Sequence, residues 1–548
     1  MTPAELAALI RSVLLEAVAA GDVALAAEDV PEPKVERPRQ REHGDWATNV
    51  AMQLAKKAGT NPRALAELLA ARLAQADGVA AAEVAGPGFL NIRLEAGAAG
   101  ELARAVVEAG PAYGRNEALT GHRINMEFVS ANPTGPLHVG HTRWAALGDA
   151  MVRLLRASGA EVVPEYYIND AGSQMDKFGA SIVARATGTE VPEGGYQGSY
   201  VAELAAKVLA ERPDLTELPH DEAVVVAREL GYRLQMAEIE ETLASFNVHF
   251  DVWFSERELH DGGAVEGAVE RLREQGHVYD EGGAVWLRTT DFSDDKDRVL
   301  VRADGSPTYF AADAAYYLSK KDRGFGEKIY LLGADHHGYV NRLKAIASCA
   351  GDDPETNIEI LIGQLVSVAG ARMSKRAGNI IELRDIIEWI GTDPVRYTLA
   401  RFPADSPLTL DGEKLREKNL DNPVYYVQYA YARTRNASRN AEEHGVPRDG
   451  FDPAALDHPA DTELLGALSQ FPETVAHAAR LREPHRVARY LEQVAAAYHQ
   501  WYGQTRISPR GEDAVDAGHT ARLWLNDATS QVLANGLDLL GVSAPERM

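Results

Sequence analysis

The sequence predicts an α/β protein of three parts: a central domain on a parallel sheet, a smaller α+β domain before it and an all-α domain after it. Three observations carry that prediction. A strand, a loop of small residues, an amphipathic helix and a second strand follow one another over 123–170. That βαβ order implies parallel strands with ligands at their carboxyl ends. Two Ala/Leu-rich helical patterns and then an alternating strand fill residues 1–95, and beyond about residue 405 only helical periodicity remains. A chain of 548 residues suits this division, because single cores rarely exceed ~250–300 residues.

The first part spans 1–112. Its opening, MTPAELAALIRSVLLEAVAAGDV, has the apolar length of a signal peptide but carries Glu5 and Glu16 and lacks a basic start. It reads as an amphipathic helix, and the chain is expected in the cytoplasm. In VAGPGFLNIRLE, Phe89, Asn91 and Arg93 alternate with Leu90, Ile92 and Leu94, the pattern of a strand with one buried face. The Gly-rich AGPAYGRNEALTGHR marks the exit.

The second part spans 113–405. RINMEFVS is its first strand, and SANPTGPLHVGHTR is the loop that follows. Trp144, Leu147, Met151, Leu154 and Leu155 then recur at helical spacing, with Gly159 as the stop. EVVPEYYIND is the next strand, and residues from about 176 to 250 read as a helical insertion. GAVWLRT, KIYLLGAD and IEILIGQLVSVAG are expected to resume the sheet, the last as a strand hairpin. The third part, 406–548, is helical, with no internal repeat and no low-complexity tract.

Composition narrows the function. No run of ~18 apolar residues exists, so no membrane span is expected. The single cysteine, Cys349, excludes a disulfide framework and any multi-cysteine zinc site. The formal charge of −25 argues by itself against nucleic acid, since phosphate contacts need Lys and Arg. Its distribution is uneven, however. Residues 261–297 have a local net of −6, whereas RLREPHRVAR (Arg480, Arg482, Arg486, Arg489) and RTRNASR (Arg433, Arg435, Arg439) are basic. Each basic run is open to two readings, a solvated helix face or a contact surface.

Two segments carry chemistry. His138 and His141 follow a strand at the mouth of a helix, where free N–H groups and the helix dipole favour phosphate. Gly135 and Gly140 let a ligand approach the backbone, and two imidazoles there can donate to a phosphate that gains charge. Capping and packing histidines, or a metal pair, are the alternatives at this point. GARMSKRAGN (370–379) is a glycine-bounded loop bearing Arg372, Lys375 and Arg376. It is either a solvated surface or a basic loop that closes over polyphosphate. No GxxxxGK[ST] occurs, so a P-loop is excluded.

Taken together, a strand–HVGH–helix unit and a later RMSK loop resemble the class I aminoacyl-tRNA synthetases. Their HIGH signature corresponds to His138, Val139, Gly140 and His141. Their KMSKS signature corresponds to Arg372–Met373–Ser374–Lys375–Arg376, with arginine replacing the first Lys and the last Ser. EFVSANPTGPLHVGH, YYINDAG, TYFAADAAYYLSKK, NPVYYVQYAYAR and LDLLGVSAPERM extend the resemblance over most of the chain, to the arginyl-tRNA synthetases. The resemblance implies a Rossmann-type parallel-sheet catalytic domain, an N-terminal domain that touches the tRNA elbow and an all-α C-terminal anticodon-binding domain. It implies tRNA(Arg), L-arginine and ATP with Mg²⁺ as substrates, a monomer, and no protein-bound zinc or other metal ligand set.

Site residues follow from the same resemblance. His138, His141 and Lys375 are the expected catalytic groups, and Gly140, Asp335, Met373 and Ser374 join them at ATP. A guanidinium is planar with five donors, so its pocket needs carboxylates and an aromatic flank. Tyr309 and Asp313, four apart on one helix face, match that pocket, as do Glu256, His336 and Asn132. Surface acidity is the bland alternative for the two acids. Single-stranded bases are read by aromatics beside arginine. Tyr429, Arg433, Tyr498, Tyr502 and Met548 match the anticodon face, and Phe89 and Asn91 match the elbow contact.

Overall fold

The structure is a computed structural model that describes residues 1–38, 40, 43–292, 294–369, 381–511 and 513–548. The first 94 residues form a three-stranded antiparallel sheet, in the order β1 (Trp46–Thr48), β3 (Phe89–Leu94), β2 (Val79–Ala85). The helices Pro3–Ala19 and Pro62–Leu73 contribute to its core. Leu90, Ile92 and Leu94 turn into that core and Phe89 and Arg93 away from it, as the alternation requires. The core closes at Leu94, earlier than the expected boundary at 112. Leu102, Ala103 and Val106 of the next helix, Ala96–Ala109, belong instead to the core shared by the sheet and the C-terminal helices. Gly100 makes this packing possible: a Cβ there would lie 2.3 Å from the Pro453 carbonyl oxygen.

The central sheet has five parallel strands: β4 (Arg123–Glu127), β5 (Glu161–Ile168), β6 (Val252–Ser255), β10 (Glu327–Gly333) and β11 (Ile358–Gly363). They lie in the order β11-β10-β4-β5-β6. In chain order this is 5-4-1-2-3, so the direction of travel reverses between β4 and β10. A Rossmann-type sheet binds ligands at that reversal. The segment 176–250 is helical (Ser173–Thr187, Ser199–Glu211, His220–Ser245) and has its own small core around Phe178, Ile182, Val201 and Leu204.

Two strand expectations are corrected. GAVWLRT does not resume the parallel sheet. It forms β8 (Ala284–Leu287) between β7 (Val278–Glu281) and β9 (Arg298–Val301) in a separate antiparallel sheet. The cause is local: Gly282 and Gly283 both adopt positive φ, 61° and 80°, and close a two-residue hairpin with Glu281 opposite Ala284. IEILIGQLVSVAG is not a hairpin. Its first half is β11, and β12 (Val366–Ala369) pairs in parallel with β13 (Leu408–Asp411).

The C-terminal part is a helical bundle (Pro423–Glu443, Pro459–Leu468, Phe471–Leu481, His485–Gln504, Ala517–Leu539). Its core is continuous with that of the sheet domain.

Candidate active site

The turn after β4 is strained and well held. Val129 and Ser130 both have positive φ, 69° and 41°, which is costly for a β-branched residue, about 1–3 kcal/mol. Three bonds fix it. The Tyr167 N–H donates to Ser130 Oγ (3.1 Å), the Ala131 N–H donates to the Tyr166 hydroxyl (3.0 Å), and that hydroxyl donates back to the Ala131 carbonyl (2.9 Å). Tyr200, from the helical segment 199–211, donates to the Thr134 carbonyl (2.9 Å). The turn is thereby braced from the sheet and from the insertion.

His138 is the N-cap of the Val139–Ala157 helix. Its Nδ1 accepts from the Gly140 N–H (3.1 Å), and its own N–H donates to His141 Nδ1 (3.2 Å). The rings sit 4.0 Å apart. With both Nδ1 atoms used as acceptors, each neutral imidazole carries its proton on Nε2. Burial holds His138 below the usual imidazole range, and burial together with His138 pushes His141 down to about 3. Two uncharged N–H donors therefore stand at a helix N-terminus at the sheet's reversal point. The capping reading holds for both histidines, and capping sets the tautomer that leaves Nε2–H free of the helix backbone. Gly140 is required here, since a Cβ would lie 2.9 Å from His138 Cε1.

The chain that follows the basic segment, from Ile381, lies against this turn. The Val139 N–H donates to the Ile381 carbonyl (2.9 Å), and the Leu383 N–H donates to the Leu137 carbonyl (2.8 Å). Met373, Ser374 and Lys375, with Arg372 and Arg376, lie outside the described residues, as does the side chain of Asp335.

Beside the histidine turn, the ends of β5 and β6 and the Tyr309–Asp322 helix bring a group of acidic side chains together. Glu256 follows β6, is buried, and has its carboxylate 3.6 Å from His260 Nε2. Burial pushes its pKa up. Asp313 is half-buried and accepts a hydrogen bond from the Tyr339 hydroxyl. Burial, with Glu256 and Glu127 nearby, pushes it up to about 8. Tyr167 lies among Glu256, Asp313, Glu127 and Asp170, and its phenol is driven upward by burial and by those charges. Tyr309 is 65% exposed at the rim, and a Cβ on Gly172 would come 3.7 Å from its hydroxyl. Asn132 donates to Gln174 Oε1 (3.1 Å). His336 is exposed in the turn after β10.

Countercharge lies underneath. Lys320, fully buried, donates to Glu127 (2.6 Å) with its ammonium 4.2 and 4.0 Å from the Tyr316 and Tyr330 rings. Arg323 is bidentate to Glu165 (2.5 and 3.0 Å). These pairs engage Glu127 and Glu165, while Glu256 faces His260 and Asp313 is held by the Tyr339 hydroxyl. Sequence reasoning missed Tyr167, Asp170, Gln174 and Tyr339. Asp170 is legible in the YYINDAG segment; Tyr339 has no local signal.

On the C-terminal bundle, Arg433 lies over the rings of Tyr429 (4.8 Å) and Tyr502 (5.4 Å). It donates to the Tyr429 hydroxyl (2.8 Å) and to His499 Nδ1 (3.0 Å). Tyr425 stacks on Tyr429 at 6.0 Å. Tyr502 and Met548 are exposed. Tyr498 is a correction: it is fully buried, its hydroxyl donates to Asn526 (2.8 Å), and it faces the core because the Ala517–Leu539 helix covers that side. Arg435 and Arg439 both engage Glu546 and so hold the C-terminal tail (3.0 and 3.3 Å). In the N-terminal part Phe89 is exposed and Asn91 half-buried on β3.

Three family models match the chain: an arginyl tRNA synthetase N terminal domain over residues 4–94, a class I (R) tRNA synthetase catalytic domain over 106–191 and 219–392, and a DALR anticodon binding domain over 427–548. The chain is 66% identical to an arginine–tRNA ligase of Pseudarthrobacter chlorophenolicus and 65% identical to one of Micrococcus luteus, with all of both chains covered in each case. Among solved structures it is similar to the Thermus thermophilus arginyl-tRNA synthetase, with a TM-score of 0.74 and 25% identity over 98% of this chain and 100% of that one.

Proposed function

The chain belongs to the arginyl-tRNA synthetases, and from that premise we propose how its residues divide the work of attaching L-arginine to the 3′-terminal adenosine of tRNA(Arg). The arginine carboxylate attacks the α-phosphorus of ATP, pyrophosphate leaves, and arginyl-adenylate forms. The terminal ribose of the tRNA, through its 2′-hydroxyl, then takes the acyl group and releases AMP. No enzyme nucleophile takes part, so catalysis rests on positioning and on charge stabilisation.

The guanidinium is held by Asp313 and Glu256, with Tyr309 at the rim, His336 beside it and Asn132 at the α-amino or carboxylate end. His138 and His141 donate from Nε2 to phosphate oxygens that gain charge, and Gly140 gives ATP access to the backbone. Lys375, with Met373 and Ser374, neutralises the leaving pyrophosphate, and Asp335 serves the ribose. Tyr429, Arg433, Tyr502 and Met548 read the anticodon, and Phe89 and Asn91 meet the elbow. ATP is taken as its Mg²⁺ complex by a cytoplasmic monomer that holds no zinc of its own. Among the described residues no helix is long and apolar enough to cross a membrane.

The observation that carries this division is the pair of Nε2–H donors beside a carboxylate pocket at the reversal of the sheet. ATP–pyrophosphate exchange over all amino acids, with and without tRNA(Arg), tests it. Exchange is expected for arginine alone, and Lys375→Ala is expected to slow it ~10²–10³-fold. Exchange with another amino acid, or an unchanged rate in that variant, would overturn the assignment.

A further inference from the structure

Arg143 stands two residues beyond His141 and is 2% exposed. A guanidinium buried so completely has to be satisfied by its surroundings. Arg143 Nη1 donates to the carbonyls of Gln364 (3.1 Å) and Ser406 (2.7 Å), and Nη2 donates to the Pro403 carbonyl (2.7 Å). Among the described residues no carboxylate is hydrogen-bonded to it; Nε has no partner, and Asp405 lies near enough to supply countercharge. All three acceptors are backbone groups, and they lie in two segments with one destination. Gln364 stands two residues before β12, while Pro403 and Ser406 lead into β13, and β12 and β13 pair with each other, Val366 opposite Leu408. The two incoming segments are also joined directly, the Gln364 N–H donating to the Ala404 carbonyl (2.9 Å).

The next residue of the helix reinforces the junction. Trp144 packs on Gly363 so closely that a Cβ on that glycine would lie 2.6 Å from the indole. The first turns of the helix therefore do two things: His138 and His141 face the site, and Arg143 and Trp144 grip the root of the β12–β13 ribbon. β12 runs directly into residues 370–380. The chain returning from them is bonded to Leu137 and Val139.

We propose that Arg143 is a positioning residue for adenylate formation: it sets the β12–β13 ribbon at a fixed place relative to the histidine pair. A five-donor planar fork suits this task, because it can address two separate strands of backbone at once, which an ammonium on a flexible stem does less well. A misplacement of about 1 Å can cost ~10²-fold in rate without contact with substrate.

The inference rests on the reading of Lys375 given above, so the experiment includes Lys375→Ala beside Arg143→Lys, Arg143→Gln and Arg143→Ala. Single-turnover arginyl-adenylate formation is measured in the presence of tRNA(Arg), with KM for arginine and for tRNA and the thermal midpoint of each variant. Arg143→Ala is expected to slow adenylate formation ~100-fold, with KM for arginine and for tRNA within about two-fold. Arg143→Lys is expected to recover a substantial part of the rate, and Arg143→Gln little. The proposal is overturned if every folded Arg143 variant forms adenylate at the parental rate. It is also overturned if rate and both KM values worsen together and Lys rescues no better than Gln, which is the mark of general loosening. If Lys375→Ala has the parental rate, the reading of the basic segment fails and takes this one with it. If Lys375→Ala is slow and the Arg143 variants are not, only the present inference fails.

Discussion

The backbone N–H of His138 donates to Nδ1 of His141 while His138 offers its own Nδ1 to Gly140, so each imidazole is fixed through one nitrogen and presents a proton on the other. His141→Asn separates the two roles, because an amide oxygen can still accept from the His138 N–H but no donor replaces Nε2. Adenylate formation is expected to fall ~10²–10³-fold with little change in thermal stability. A loss of stability with an unchanged rate would leave the pair as caps alone.

The same geometry has a pH signature. His141 is held at about 3 and His138 is lowered from its ordinary value in the same direction, so His141 stays uncharged between pH 5 and 8 and the maximal activation rate should show no His141 limb there. The sign for stability follows from linkage. A histidine whose folded pKa is depressed lets the unfolded chain bind more protons below about 6.5. His141 therefore favours the fold fully above that pH and progressively less as pH falls towards 3, and His138 acts in the same direction. Urea titrations from pH 7 to 4 of the parent and of His141→Asn should differ in slope accordingly.

Asp313 points the other way. Its carboxyl is raised to about 8, so near neutrality the empty pocket holds a proton that an arriving guanidinium displaces. Calorimetric titration with arginine at pH 7, repeated in buffers of different ionisation enthalpy, should report the release of close to one proton. KM for arginine should fall as pH rises towards 8. Asp313→Asn should abolish the release and weaken arginine binding ~100-fold, the usual scale for removing one partner of a desolvated charge pair. Binding with no proton released would refute the protonated empty pocket.

The parts of the site legible in the sequence are those written into consecutive residues. The HVGH turn needs a strand, two glycines and a helix start, all local, and the pocket pair Tyr309 and Asp313 needs only helical spacing. Tyr339 reaches Asp313 across 26 residues, and Tyr167 meets Glu256 only because β5 and β6 are neighbours; no local pattern carries such contacts. β6 is four residues long, too short to alternate. The Gly282–Gly283 pair is legible as a two-residue turn, and such a turn places β8 in an antiparallel hairpin with β7. Helical periodicity could not separate Tyr498 from Tyr502, since which face of their helix is covered depends on where Ala517–Leu539 docks.

That last pair makes a contrast for RNA binding. Arg433 is fixed over Tyr429 and Tyr502 by stacking and hydrogen bonds. Arg433→Lys keeps the charge but loses the planar fork, and it is expected to raise KM for tRNA by ~10-fold or more through lost stacking. Tyr498→Phe should leave KM for tRNA unchanged. It should instead lower stability by about 1–3 kcal/mol, because Asn526 Oδ1 loses its buried donor. Equal effects of the two variants on tRNA would contradict the division between surface and core.

Arg396 joins the catalytic sheet to the helical bundle. It is fully buried, with its guanidinium on Asp149 (2.5 Å) and on the carbonyls of Phe246 (2.9 Å), Asn247 (3.0 Å) and Leu540 (3.1 Å). Those partners come from the helix that carries the histidines, from the end of the insertion and from the last turn of the chain. Gly541 is obligatory beside it, since its φ is +65° and a Cβ would lie 2.0 Å from Arg396 Nη2. Arg396→Ala leaves Asp149 buried with only Arg153 at 2.7 Å to answer it. Breaking a buried pair on one side costs about 3–5 kcal/mol, and that loss should appear in denaturant unfolding as an early transition of the bundle against the sheet. The double variant Arg396→Met with Asp149→Leu removes both charges and should recover much of the stability. Recovery without restored aminoacylation would show that the contact between the two domains, and not their separate folds, depends on this guanidinium.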